Sequence, residues 1–265
     1  MSNHKALEMF GRSGNPTLNA QTFANSSQVS APSGIQAVAS QTMTLEGTVN
    51  KTGILLALVV LSASWTWRMF FETGDPSAVM PIAFGGAIVG FILALVTLFK
   101  KHWSGTTAPI YAVAEGLFLG AISGIFEMQY PGIVIQAVAL TLGTLASLLF
   151  LYKTGIIKPT ENFRLMIVSA TMGIGLLYLV SILMTMFGAG GIGFIHSNGL
   201  FGIGFSLFVV AIAALNLVLD FDFIEQGSEM GAPKYMEWFG AFSLMVTLIW
   251  LYLEILRLLA KLRSR

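Results

Sequence analysis

Four acidic residues interrupt long apolar stretches of the sequence, and they are the first candidates for chemistry. Glu115 lies in YAVAEGLFLG, Asp220 and Asp222 lie in LNLVLDFDFIEQG, and Glu254 lies in WLYLEILRLL. A charged side chain is costly in hydrocarbon, so an acid at membrane depth faces the protein interior, pairs with another group or marks an ion pathway. These carboxyls are therefore candidates for a cation or proton path.

Helical spacing gives two of the acids polar neighbours. Asn216 and Asp220 are four residues apart and share one face of a helix. Ser243, Thr247 and Glu254 follow spacings of four and seven, so they form a polar stripe on an otherwise apolar helix. Because lipid offers no hydrogen bonds, such a stripe needs a water-filled cavity or a polar partner.

Two carboxyls from different helices that meet in a dry interior must share a proton, because both cannot stay ionised there. Loss of the shared proton adds negative charge and drives the two helices apart. The exposed oxygens then suit a hard cation such as calcium. A pair of acids is thus sufficient for a pH-sensitive cation path.

Each acid also has a purely local alternative. Glu254 lies three residues before Arg257, a spacing that favours an ion pair within one helix. Glu115 could be a neutral acid that is hydrogen-bonded to a neighbouring helix. Three acids near the end of the sixth apolar stretch could be solvated among the lipid headgroups: Asp222, Glu225 and Glu229.

Composition excludes several classes of function. The chain has 265 residues, of which 55% are hydrophobic and 10% charged, whereas soluble domains carry about 25% charged residues. The net charge of +1 is too small for the strongly basic surface that nucleic-acid binding requires. The absence of cysteine excludes disulfides and thiolate metal sites, and the three histidines form no HExxH pair. We expect a protein that is not an enzyme, holds no cofactor and has lipid as its main partner.

Seven apolar stretches are long enough to cross a bilayer, which takes about 20 helical residues. We therefore expect an all-α, multi-pass protein of the cell (inner or plasma) membrane, with a seven-helix domain over residues 48–265. Residues 1–47 are polar and are expected to form a disordered tail. The seven stretches are Gly53–Phe71, Val79–Phe99, Thr107–Phe126, Gly132–Tyr152, Phe163–Phe187, Gly199 to at least Phe221, and Trp238 to at least Leu258.

The distribution of lysine and arginine favours an N-terminus on the inner side. Nine of the fourteen basic residues then fall on the inner tail and loops. The basic C-terminal segment opposes this orientation, because seven spans would place it outside. The side of the C-terminus is therefore left open, since a re-entrant last helix would bring it inside.

Three motifs resemble the Bax-inhibitor (transmembrane Bax-inhibitor-motif) family, as a bacterial-type member. Leu251–Ile255 reads LYLEI, where the family usually has LYLDI. Asp220 and Ile224 match its YDxxxI pattern, and Glu115 opens an EGxxLG segment. The likeness extends over residues 50–265 and leaves out the tail.

The resemblance implies a seven-helix fold whose last helix is central. It also implies a pH-sensitive calcium leak gated by acids on helices six and seven, here Asp220 and Glu254, which would be transient calcium ligands. Some members instead bind and restrain a membrane protease, and this regulatory role is the alternative function. A cation after helix two locks the helix-six acid in some members; this chain offers Lys100 and Lys101, which cannot pair in a bidentate way as arginine does.

The positions of Asp220 and Glu254 in the sequence oppose a direct contact between their side chains. Asp220 and Glu254 lie on either side of a turn near residues 231–233. At about 1.5 Å per residue, their depths differ by roughly 13 Å, which helix tilt or a long structured loop must absorb. If they do meet, both Asp220→Asn and Glu254→Gln are expected to remove the pH response of calcium flux. Glu229→Gln, in water, is expected to be silent.

Overall fold

The computed structural model describes residues 42–188 and 190–264, and seven of the helices in these ranges are long and apolar enough to cross a membrane. Each of the seven predicted stretches overlaps one of them, which confirms the predicted all-helical membrane fold. The helices are α1 (Leu45–Thr73), α2 (Pro76–Phe99), α3 (Ser104–Gln129), α4 (Ile133–Lys153), α5 (Glu161–Met186), α6 (Leu200–Glu229) and α7 (Met236–Arg263).

Local signals in the sequence set the first helix ends. Thr44 caps α1, because its hydroxyl accepts a hydrogen bond from the backbone N–H of Gly47 at 3.0 Å. Asp75 caps α2 in the same way and is followed by Pro76, whose missing N–H costs nothing at a first helical position. Helix α1 begins at Leu45, so it starts before the boundary at residue 47 that composition predicts. The rest of the predicted tail, residues 1–41, lies outside the described residues.

Helix α7 is the central helix of the bundle. In its most apolar window 72% of the residues are buried, against 50% in α3 and 39% or less in the other five spans. It packs against α1, α3, α4 and α6. The prediction that the last helix is central is therefore confirmed.

Small residues allow the closest helix contacts. The glycines of α3 that are spaced by four face α1, where a Cβ on Gly116 or Gly120 would overlap backbone atoms of α1. Gly86 of α2 faces α3 in the same way, since a Cβ there would lie 2.6 Å from the carbonyl oxygen of Ala114. Contacts this close need residues without side chains.

The basic residues at the end of α7 are engaged by protein groups. Helix α7 is one continuous helix of 28 residues, so a re-entrant last helix is not formed. Lys261 is buried, and its ammonium donates to the carbonyls of Ile195 and Gly202 and to the Ser206 hydroxyl. Arg263 donates to two backbone carbonyls in the α3–α4 turn. These two cations therefore serve contacts within the bundle.

Candidate functional site

Asp220 is a buried carboxylate on α6 with one oxygen left bare. Ser243 of α7 donates a hydrogen bond of 2.6 Å to Oδ1, and the side chain is almost fully enclosed. Among the described residues, Oδ2 has no hydrogen-bond partner. Buried polar atoms in proteins are nearly always paired, so this oxygen is suited to a proton, a water molecule or a cation.

The α6–α7 hairpin puts Asp220 and Ser243 at one level. Helix α6 continues for nine residues beyond Asp220, and α7 begins seven residues before Ser243, so the two lie at similar distances from the connecting loop. Thr247, one turn further along α7, lies beside the same carboxylate, and its hydroxyl donates to the Ser243 carbonyl at 3.3 Å. Three oxygen-bearing side chains thus meet in an apolar interior.

Glu254 is held by a separate set of partners. Its side chain is only 3% exposed, and both carboxylate oxygens accept from Nη1 of Arg257, at 3.0 and 3.2 Å. The hydroxyl of Tyr178, on α5, donates to Oε1 at 3.0 Å and accepts from Arg257 at 2.7 Å. The local ion pair that the sequence offers as an alternative is therefore formed, with a tyrosine from another helix added to it.

The structure does not bring Asp220 and Glu254 together. Asp220 is level with Ser243, and Glu254 lies eleven residues further along α7, which is about 16 Å at about 1.5 Å per residue. No long structured loop closes this gap, since α6 is helical to Glu229 and only a short loop precedes α7. The expected two-acid contact, and with it a calcium site shared by both carboxyls, is thus not formed in this conformation.

Glu115 faces another helix, as predicted. A Cβ built on Gly90 of α2 would lie 2.6 Å from Oε1 of Glu115, so the carboxyl rests against the space that this glycine leaves. Its side chain therefore packs on protein rather than on lipid, at the contact of α2 with α3.

Two further candidates on α6 are tied to α5. The amide nitrogen of Asn216 donates to the Thr171 hydroxyl and to the Ile212 carbonyl, both at 2.8 Å. Asp222 pairs with Arg164 and accepts from the Gln226 amide at 3.0 Å. Both side chains thus hold the α5–α6 contact, and Asp222 is anchored by an arginine rather than left free among the headgroups.

The two lysines after α2 rest on aromatic rings. The ammonium of Lys100 lies 4.5 Å from the ring centre of Trp103, and that of Lys101 lies 5.1 Å from the ring centre of Phe239 on α7. Each is a cation–π contact. In the ranges that the structure covers, no lysine or arginine forms an ion pair with Asp220. The contact by which Lys100 or Lys101 would lock this acid is therefore not formed.

A fully buried carboxylate at the start of α7 was not predicted. Both oxygens of Glu237 are satisfied: Lys51 forms an ion pair with one, and the other accepts from Lys234 at 2.8 Å. Thr44 adds its backbone N–H at 2.9 Å and its hydroxyl at 2.8 Å. Only the Lys234–Glu237 spacing of three is a local signal, because Thr44 and Lys51 lie 193 and 186 positions away.

The same cluster anchors the segment that enters α1, residues 42–44, which we call the entry strap. Thr42 pairs with Pro233, and the N–H of Met43 donates to the Ala232 carbonyl at 2.6 Å. The Met43 side chain is 2% exposed and packs against Gly227 of α6 and Gly240 of α7. Met43 therefore fills the crevice between α6 and α7 at their loop end, about one helical turn from Ser243.

The acids of the described residues do not gather into a resident metal site. Within those ranges no group of three or more His, Asp or Glu side chains is positioned to hold a metal ion. Asp220 and its two hydroxyl neighbours instead form a site with a single carboxylate. Such a site suits transient binding of a hydrated cation better than tight binding.

Comparison with known proteins assigns the family. The profile of the family described as Bax inhibitor 1 like matches residues 15–264. The match extends into the polar tail, which corrects the expectation that the likeness begins near residue 50. Neither the curated proteins nor the solved structures contain a match to this chain. With almost its whole length matched, the chain belongs to the Bax inhibitor 1 like family, a family of multi-pass membrane proteins that are not enzymes.

Proposed function

We propose that this protein is a pH-sensitive calcium (cation) leak channel of the cell membrane, and that Asp220 is its gate. The observation that supports this most is the bare, buried Oδ2 of Asp220 beside the central helix. An ionisable oxygen without a partner at this depth is costly, and this cost is the reason to infer a function for it. The seven membrane helices and the family membership are consistent with a transport role.

Protonation of Asp220 is the closing step. At low pH the carboxyl is neutral, so no full charge is buried, and the Ser243 hydroxyl satisfies Oδ1. As pH rises the carboxyl ionises, and one hydroxyl donor cannot compensate a full charge in an apolar interior. The ionised oxygen then recruits a cation, for which Ser243 and Thr247 supply further oxygens of the kind that calcium prefers.

Glu254 is a second, separate site for the cation along α7. It does not share a proton with Asp220. Its carboxylate is already paired with Arg257. A cation that reaches this level must displace the guanidinium of Arg257, whose side chain is 36% exposed. Exchange of the arginine for the passing cation keeps the buried carboxylate paired at every stage, which avoids the cost of an isolated charge.

The entry strap closes the path at the α6–α7 loop end. Met43 fills the crevice between the two helices that carry Asp220 and Ser243. When Asp220 is ionised and α6 moves away from α7, this crevice widens and Met43 loses its packing. Opening at Asp220 and release of Met43 are then one concerted movement.

Calcium entry into liposomes tests the proposal. The purified full chain is reconstituted with a calcium indicator inside, and influx is measured at acidic and at neutral pH. We expect faster calcium influx at neutral pH than at acidic pH. Asp220→Asn should remove this difference, and protein-free liposomes should show no influx. The matched control is Glu229→Gln, because Glu229 is exposed at the end of α6. Absence of influx at either pH would contradict the channel and favour the alternative of a regulator that binds a membrane protease.

A further inference from the structure

An apolar groove runs along the lipid-facing side of the bundle between α1 and α4. It encloses about 440 Å³, within the range of about 300–1,000 Å³ that is typical of small-molecule sites. Residues of α1 and α4 form its walls, and α3 and α7 form its floor. It is separate from the α6–α7 contact that holds Asp220.

The mouth of the groove opens at hydrocarbon depth. Its rim includes Val60 of α1 and Val138 and Leu142 of α4, which are 54%, 37% and 43% exposed. Val60 lies fifteen residues into a 29-residue helix, hence near the middle of the span. The groove is thus continuous with the surface that the membrane helices present to lipid, and acyl chains are the molecules that surround it.

The floor of the groove is buried protein, including the central helix. Met245 and Leu248 of α7 are 1% and 5% exposed, and both line the groove. The described lining contains no Asp, Glu, Lys or Arg. Two hydroxyls of the lining, those of Ser123 and Tyr252, satisfy each other through a 2.6 Å hydrogen bond and so do not require a polar ligand.

We infer that this groove binds one acyl chain of a membrane phospholipid, which inserts between α1 and α4 and contacts α7. The chemistry of the lining excludes a charged or strongly polar occupant, because such a group would lose its hydration without a partner. A chain that enters sideways from the bilayer needs no aqueous route. An empty apolar groove of this size would instead forfeit the dispersion contacts of its whole lining.

Photochemical labelling in the membrane tests the site. The full chain is reconstituted in phosphatidylcholine vesicles that contain a small fraction of the same lipid with a diazirine in one acyl chain. After irradiation, labelled positions are mapped by mass spectrometry of peptides. We expect labels on Met245 and Leu248, which are buried and line the groove. Labels confined to outward residues such as Leu176, which is 60% exposed, would overturn the inference.

Variants at the rim separate a bound chain from general lipid contact. Val138→Trp places a bulky ring in the mouth and should lower labelling of α7 about tenfold, since close-packed space has no room for an acyl chain. Val60→Trp, on the opposite wall, should do the same if the first variant folds poorly. Leu176→Trp is the matched control and should leave α7 labelling unchanged. Equal labelling of α7 in all three variants would contradict a site in the groove.

A second copy of the chain is the competing occupant. Because the protein has no cysteine, a Val138→Cys variant carries a single thiol. We expect it to stay monomeric under oxidation in the same vesicles, because lipid fills the groove. Rapid formation of a disulfide-linked dimer would place another copy at the mouth and overturn the lipid assignment. None of these measurements depends on calcium flux.

Discussion

The hydroxyl of Ser243 donates to Oδ1 of Asp220 at 2.6 Å, and among the described residues no group satisfies Oδ2. This contact sets the level at which α6 and α7 meet and leaves one buried oxygen free to titrate. Two buried carboxyls therefore lie beside or on α7. Asp220 of α6 lies at the level of Ser243, and Glu254 lies about 16 Å further along α7 by helical rise.

Removing the Ser243 hydroxyl should move the pH response of flux. Ser243→Ala deletes the donor that stabilises ionised Asp220, and a hydrogen bond to a charged group is worth about 1.5–3 kcal/mol. The pH at which calcium influx is half-maximal should therefore rise by about one to two units. Ser243→Thr keeps the hydroxyl and should resemble the wild type. An unchanged midpoint in Ser243→Ala would show that this contact does not stabilise the ionised gate.

Breaking the pair of Glu254 and Arg257 should destabilise the fold. Arg257→Gln leaves the carboxylate of Glu254 buried and without its cation. Because Arg257 is partly exposed, we expect a loss of about 1–3 kcal/mol rather than the larger cost of a fully buried pair. Adding Glu254→Gln to Arg257→Gln should restore part of the loss, which a double-mutant cycle of unfolding in detergent would measure. Additive effects would mean that the two side chains do not depend on each other.

The Glu237 cluster should control how firmly the entry strap is held. Glu237→Gln loses the ion pairs with Lys51, whose side chain is only 17% exposed, and with the exposed Lys234. We expect the free energy of unfolding to fall by about 2–4 kcal/mol. Hydrogen exchange at the Met43 amide should speed up at the same time, because its bond to the Ala232 carbonyl depends on the strap. Exchange at Met43 as slow as in the wild type would show that the strap is held without Glu237.

Shortening Met43 should raise the leak without removing its control. Met43→Ala empties the crevice between Gly227 and Gly240 and leaves Asp220 untouched. Calcium influx should increase at both acidic and neutral pH, and the ratio between the two should persist. Met43→Leu, of similar volume, is the control and should stay close to the wild type. A loss of influx in Met43→Ala would contradict a closing role for this side chain.

The parts of this structure that follow from local chemistry were predictable from the sequence. Seven spans follow from the thickness of the bilayer, and the pairing of Glu254 with Arg257 follows from a spacing of three. Counting residues from the turn indicated an offset of roughly 13 Å between Asp220 and Glu254, and the contact of Asp220 with Ser243, eleven residues before Glu254, agrees with such an offset.

Contacts between distant segments were not predictable in the same way. Glu237 meets Thr44 across 193 positions, and Lys261 reaches a carbonyl 66 positions away. No periodicity encodes such pairs, because they depend on which helices become neighbours. The Tyr178 contact of Glu254 was missed for the same reason, since α5 had no signal that linked it to α7.

The separate effects of Asp220→Asn and Glu254→Gln on the pH dependence of calcium influx test the central claim most directly. Asp220→Asn keeps the shape of the side chain and deletes its titration, so we predict influx that no longer changes with pH. Glu254→Gln should alter the rate of influx but keep the pH midpoint, because this carboxylate is paired with Arg257 and not with Asp220. Loss of the pH response in both variants would instead indicate a proton shared by the two acids. A wild-type pH response in Asp220→Asn would contradict Asp220 as the gate.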